Sequence, residues 1–139
     1  MARVIVATCV DSRMEEALPK VVSHLGVKTG EYHRITAFGC SLGLDHEHDL
    51  YELIVKNLGA QEVVVVDHMD CKAYRRKFGQ DLTPEKEKEL HIERLRLRAE
   101  EIRRDFPEIS VRLFLLTDVT PERIGTEVME VPFSSAVAA

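Results

Sequence analysis

The chain has 139 residues, a formal net charge of −5 and 45% apolar residues. That length suits one domain, 1–139, with a core of its own. Net negative charge speaks against sequence-independent nucleic-acid binding and against adhesion to anionic membranes. No apolar run approaches the about 20 residues that span a bilayer.

Taken in chain order, the β-branched stretch from Arg3 to Cys9 predicts a strand buried on both faces. It runs directly into Asp11 and Arg13, so it reads as a strand and not as the apolar region of a signal peptide, and the default expectation is cytoplasmic. Leu18, Val21, Val22 and Leu25 then mark a helix from Met14, with Pro19 positioned to shorten or kink it and Gly26 to end it. A second strand is expected from Tyr32 to Phe38, followed by a loop from Gly39 to Gly43. Asp45 offers an N-cap to a helix running to Leu58. Val63 to Val66 is the clearest strand, and it stops at Asp67-His68.

A short polar helix follows Cys71 and ends near Gly79. Thr83-Pro84 opens a long charged helix that Pro107 closes, with Leu90, Leu95, Leu97 and Ile102 as its narrow apolar edge. Val111 to Leu116 and Val128 to Val131 supply a fourth strand and an edge strand, and 134–139 read as a frayed tail. Strands alternating with helices imply an α/β fold: a mostly parallel sheet of four to five strands with helices on both faces. In such sheets the crevice lies at the carboxyl ends of the strands, where strand order switches. Cys9, Cys40, His68 and Cys71 all fall at or just past those ends.

Three cysteines without an export signal argue against a disulfide framework and leave core, metal or nucleophilic roles. Zinc accepts thiolate sulfur and imidazole nitrogen, and three protein ligands with one open position is its catalytic arrangement. Cys9, His68 and Cys71 can supply those three. His68 and Cys71 are three residues apart, so one turn leaving a strand can aim both at one point. Either cysteine could instead be a small buried hydrophobe. Asp11 and Arg13 read as a carboxylate–guanidinium pair beside the metal or as a helix start with its charges. Asp11 could accept a hydrogen bond from a metal-bound water or occupy the fourth position. Cys40 has three readings: core thiol, pocket wall or fourth ligand. His46 and His48 flank Glu47 two apart, a spacing that does not share a helix face. Arg75-Arg76-Lys77 reads as a solvated face, and 85–104 as a helix stabilised by i,i+4 charge pairs.

Cys9-Val10-Asp11-Ser12-Arg13 resembles the Cys-x-Asp-Ser-Arg motif of β-class carbonic anhydrases, and His68-Met69-Asp70-Cys71 resembles their His-x-Asp-Cys motif. The two occur in the family's order, and the resemblance runs over nearly the whole chain. It implies zinc held by Cys9, His68 and Cys71, an Asp11–Arg13 dyad, a homodimer or higher homo-oligomer, and reversible hydration of carbon dioxide to bicarbonate by zinc-bound hydroxide. It also implies helices ahead of the first strand, whereas here that strand follows Met1 directly. The departures lie beside the motifs. Asp67 stands where glycine usually precedes the histidine, Lys72 where glycine follows the second cysteine, and Thr36-Ala37-Phe38-Gly39 where Arg-Asn-Ala-Gly is usual. Lys72 reads as a surface lysine or as a cation near the metal. Two functions remain open: a lyase acting on carbon dioxide or on carbonyl sulfide or carbon disulfide, and a non-catalytic zinc protein with a structural or partner-binding role.

Overall fold

The computed structural model describes residues 3–28, 30–43, 56, 59–125 and 127–133. Its sheet has five strands, β1 (Val4–Cys9), β2 (Tyr32–Ala37), β3 (Glu62–His68), β4 (Ser110–Leu116) and β5 (Val128–Val131), in the order β2-β1-β3-β4-β5. The first four run parallel, and β5 pairs antiparallel to β4. Chain order reverses around β1, which lies between β2 and β3. The crevice expected of such sheets therefore opens above the ends of β1 and β3.

Period-two alternation assigns the strand residues to two cores. Val6, Val64, Val66, Phe114 and Leu116 face helix α1 (Met14–His24) and its buried stripe Met14, Ala17, Leu18, Val21 and Val22. Ile5, Ala7, Val63, Val65, Leu113 and Leu115 face the opposite layer, formed by α2 (Lys72–Phe78) and α3 (Pro84–Asp105). Helices thus cover both faces, as the strand–helix alternation predicts. Val63 to Val66 are fully buried, each side chain contributing about 1.5–3 kcal/mol relative to exposure.

The ends of the helices follow local chemistry. Pro19 lies on the exposed side of α1 and the helix continues past it to His24. Gly26, at φ +77°, then closes α1: the Val27 N–H reaches the Val22 carbonyl at 2.9 Å, and the Gly26 N–H reaches that of Ser23 at 3.0 Å. Thr83 caps α3 by accepting from the Lys86 N–H at 3.2 Å, with Pro84 in the first turn. A short 3₁₀ turn, Cys40–Leu42, follows β2. Apart from Lys56, the helix expected from Asp45 to Leu58 lies outside the described residues, as does the tail 134–139. No helix among the described residues is long and apolar enough to cross a membrane.

The long helix differs from expectation on its buried face. That face is Glu87, His91, Leu95, Arg98, Ala99 and Ile102, spaced at three and four residues. Leu97, expected on the apolar edge, is instead 38% exposed, and Leu90 is only partly buried.

Candidate metal centre

β1 and β3 are neighbours, with Thr8 in register with Val66. This pairing carries Cys9 and His68, the last residues of their strands, to the same edge. The chain then turns through Met69 and Asp70, where Asp70 adopts φ +56°, a left-handed conformation that aspartate tolerates better than most residues. That turn returns Cys71 to the strand end, just ahead of α2. The ligand atoms of Cys9, His68 and Cys71 consequently lie within 4.8 Å of one another, all on buried residues. All three cysteines of the chain are free and buried.

The histidine is presented as a ligand would be. Nδ1 lies 2.7 Å from the Met69 carbonyl, which can only accept, so Nδ1 carries a proton and Nε2 is the nitrogen whose lone pair a metal would take. Nε2 is buried and has no hydrogen-bond partner among the described residues. A buried polar atom without a partner normally costs about 1–3 kcal/mol, and a metal shared with the two sulfurs would satisfy it. This donor set, two thiols and one imidazole, suits a metal of zinc's softness.

Without metal the two thiols share their chemistry unequally. A hydrogen bond from the Cys71 thiol, aided by His68, outweighs burial and holds Cys9 well below the ordinary thiol range. The bond to Cys9, burial and the neighbouring negative charge push Cys71 upward. For His68, burial acts downward, but the Cys9 thiolate beside it prevails and raises it. The pair therefore holds one ready thiolate, and metal would displace the remaining proton.

Asp11 and Arg13 form the expected pair. Arg13 Nε donates to Asp11 Oδ1 at 3.1 Å, its terminal nitrogen to Oδ2 at 2.8 Å, and its backbone N–H to Oδ1 at 2.9 Å. These bonds, the Arg13 side chain foremost, lower Asp11 to about 2. Oδ2 stands 3.9 Å from His68 Nε2. Arg13 is itself fixed from two other loops: it donates to Asp70 Oδ2 at 3.1 Å, the Asp70 carbonyl at 3.0 Å and the Thr120 carbonyl at 2.8 Å. Asp70 also binds Arg75 at 2.8 Å. Arg75 is therefore part of the site's frame, whereas the sequence places it on a solvated face; Arg76 and Lys77 are exposed as expected. A cavity of about 190 Å³ opens beside the cluster, lined by Cys9, Val10, Asp11, Ser12, Phe38 and Lys72.

Cys40 is fully buried in the core and lies outside the cluster of three ligand atoms. Burial pushes its thiol well up. His46, Glu47 and His48 lie outside the described residues.

Behind the cluster is a buried polar network that the sequence analysis did not identify. Asp67 shares the strand parity of Val63 and Val65, so its carboxylate points toward α3. It accepts from the Ser41 N–H at 3.1 Å, the Ser41 hydroxyl at 2.6 Å, the Tyr74 hydroxyl at 3.2 Å and His91 Nδ1 at 2.7 Å. The Ser41 and Tyr74 hydroxyl oxygens also lie against each other, so their two hydrogens are shared among three contacts. His91 Nε2 meets Glu87 Oε2 at 2.9 Å, and that oxygen accepts the Cys71 N–H at 3.1 Å. The imidazole packs against the Tyr74 ring, centroids 3.8 Å apart. Burial would lower the His91 pKa, but the bonds and charges of Asp67 and Glu87 prevail and raise it to about 9. The signal available in sequence was helical spacing: Glu87 and His91 continue the stripe of Leu95, Ala99 and Ile102 at intervals of three and four.

No family model matches the chain. An uncharacterized protein of Rickettsia bellii is 27% identical over 126 residues, 83% of this chain and 76% of the relative. Among solved structures, a β-carbonic anhydrase of the fungal pathogen Aspergillus fumigatus superposes with a TM-score of 0.68 at 13% identity, covering 96% of this chain and 77% of its own. One of two tetrameric β-carbonic anhydrases from Sordaria macrospora gives 0.57 at 13% identity, covering 84% and 76%. The apo form of a carbon disulfide hydrolase gives 0.53 at 18%, covering 84% and 74%. The chain has the fold of these proteins, with a cluster at its strand ends that could hold a metal.

Proposed function

We propose that the chain is a zinc-dependent lyase of the carbonic anhydrase type, interconverting carbon dioxide and bicarbonate, with Cys9, His68 and Cys71 as metal ligands. The observation that carries the proposal is an Nε2 that has no hydrogen-bond partner among the described residues and lies with two sulfurs beside an arginine-clamped carboxylate. Bound there, zinc would supply Lewis acidity and activate water at neutral pH. Asp11, held ionised by Arg13, is placed to accept a proton or orient a donor at the metal. Its two oxygens are already engaged by Arg13, which favours this role over metal ligation.

The cavity suits a small substrate. At about 190 Å³ it falls below the roughly 300–1,000 Å³ of pockets for larger organic ligands. Val10 and Phe38 give it apolar walls, and Asp11 and Lys72 polar ones. Phe38 supports a second reading within the same chemistry, in which the substrate is the less polar carbonyl sulfide or carbon disulfide. The shared fold with a carbon disulfide hydrolase agrees with it. Val10 and Phe38 are 55% and 51% exposed at the cavity mouth. Together with the tetrameric β-carbonic anhydrase of the same fold, this supports a homo-oligomer that covers them.

Stopped-flow hydration of carbon dioxide by the zinc-loaded chain tests the proposal. The expected result is a rate well above buffer that disappears in Asp11→Asn with zinc retained. Zinc at one equivalent with no hydration and no turnover of the sulfur analogues would leave a non-catalytic zinc protein.

A further inference from the structure

Two of the three candidate ligands are tied to a single buried histidine that lies on a different element. On one side, His91 Nδ1 meets Asp67, whose backbone leads directly into His68. On the other, Nε2 meets Glu87 Oε2, and that same oxygen holds the Cys71 N–H. Both ring nitrogens therefore face carboxylate oxygens. A neutral imidazole would turn a lone pair against one of them, so the arrangement is satisfied by an imidazolium that donates to both. His91 is fully buried, and Asp67 and Glu87 are 1% and 2% exposed.

We infer that Glu87 and His91 are positioning residues for the metal centre, setting the separation of His68 and Cys71 from behind by joining the Cys71 backbone to the strand end that carries His68. The inference rests on the metal assignment made above. It explains why acidic and basic residues occupy the buried face of α3, where apolar side chains would cover the sheet at lower desolvation cost. The Cys71 N–H precedes the first turn of α2 and has no helical partner of its own. Glu87 supplies that partner, which fixes the direction from which the Cys71 sulfur approaches Cys9 and His68. Asp67, bound by Ser41, Tyr74 and His91, likewise immobilises the residue next to His68. Groups of this kind behind metal ligands commonly change affinity 10- to 100-fold when removed.

The test measures metal binding by the full chain. Zinc affinity is read by chelator competition, and the cobalt-substituted protein is read by its thiolate-to-cobalt and ligand-field absorption. Glu87→Ala is expected to weaken zinc binding about 10- to 100-fold and to alter the cobalt bands. Glu87→Gln should restore both: with its amide oxygen in the place of Oε2, it can accept from the Cys71 N–H and from His91 Nε2–H together. Leu95→Ala, one turn further along the same buried stripe, serves as the structural control. It should lower thermal stability and leave affinity and spectrum unchanged. If Glu87→Ala does not fold, His91→Gln takes its place, with the same weakening expected. Glu87→Ala or His91→Gln behaving as Leu95→Ala does, destabilised but with zinc affinity and cobalt spectrum intact, would overturn the inference. A wild-type chain that takes up neither metal would overturn the metal centre and this inference with it. Because binding is measured and not turnover, the answer does not depend on whether carbon dioxide is hydrated.

Discussion

Raising the pH should loosen the fold through His91. The groups facing its ring are the Asp67 carboxylate from β3, the Glu87 carboxylate from its own helix and the Tyr74 ring from α2. In the folded protein, against the downward pull of burial, the bonds and charges of Asp67 and Glu87 raise the His91 pKa to about 9, from 6.5 for the free side chain. A folded pKa above the unfolded value means that folding binds a proton. The stabilisation is therefore complete below pH 6.5 and is lost as the pH rises through about 9. At about 1.4 kcal/mol per pH unit, the gap is worth about 3 kcal/mol, a large share of a domain's typical 5–15 kcal/mol. The assay is urea unfolding of metal-free, reduced protein at pH 6 and pH 9.5, for wild type and His91→Gln. Wild type should exceed the variant by about 3 kcal/mol more at pH 6 than at pH 9.5. Comparing the two proteins cancels the cysteines, which titrate in both. A difference that stays constant across this range, or grows with pH, would show that His91 is neutral when folded and that the charge assignment is wrong.

Cys9→Ser should abolish stoichiometric zinc by elemental analysis, since it removes one of the two candidate ligand sulfurs; a full equivalent of zinc in the purified variant would refute the ligand set. Gly39 has φ +78°, and a Cβ there would stand 2.8 Å from the Ala73 Cβ. Gly39→Ala should therefore cost at least about 1–2 kcal/mol from the left-handed backbone alone, with more from displacing α2, and denaturant unfolding should register it. Thr83→Ala removes the α3 cap and should cost about 1 kcal/mol by the same measurement.

Most of the fold can be read in the sequence because each element has its own signal. The valines of β3 have too little polarity for a surface position. Thr83-Pro84 starts a helix and Gly26 stops one. Val128 to Val131 reads as an edge strand, while its antiparallel direction comes from the pairing with β4. Helix α3 is where pattern reading fails, for a physical reason. Its buried face mixes Leu95, Ala99 and Ile102 with Glu87, His91 and Arg98. A hydrophobicity pattern counts the second group as solvent-facing and so promotes Leu97, which is exposed. Burial of those polar residues depends on partners from β3, α2 and the turn after β2, none of which local sequence reveals.

The same dependence reverses the meaning of Asp67. Beside the family motif it reads as a loss, a charged residue replacing glycine next to a candidate metal ligand. A lone buried carboxylate would indeed cost several kcal/mol. Here Ser41, Tyr74 and His91 all donate to it, and His91 passes the connection on to Glu87 and the Cys71 backbone. Those residues are scattered from 41 to 91, and no spacing rule links them. Removing any one leaves the others buried and short of a partner, so they function as a unit. Restoring glycine alone, as Asp67→Gly, would strand His91 between one carboxylate and an empty position. The departure from the family pattern is thus tolerable only together with its partners, and the second layer of this site belongs to the chain's own sequence and not to the motif it shares.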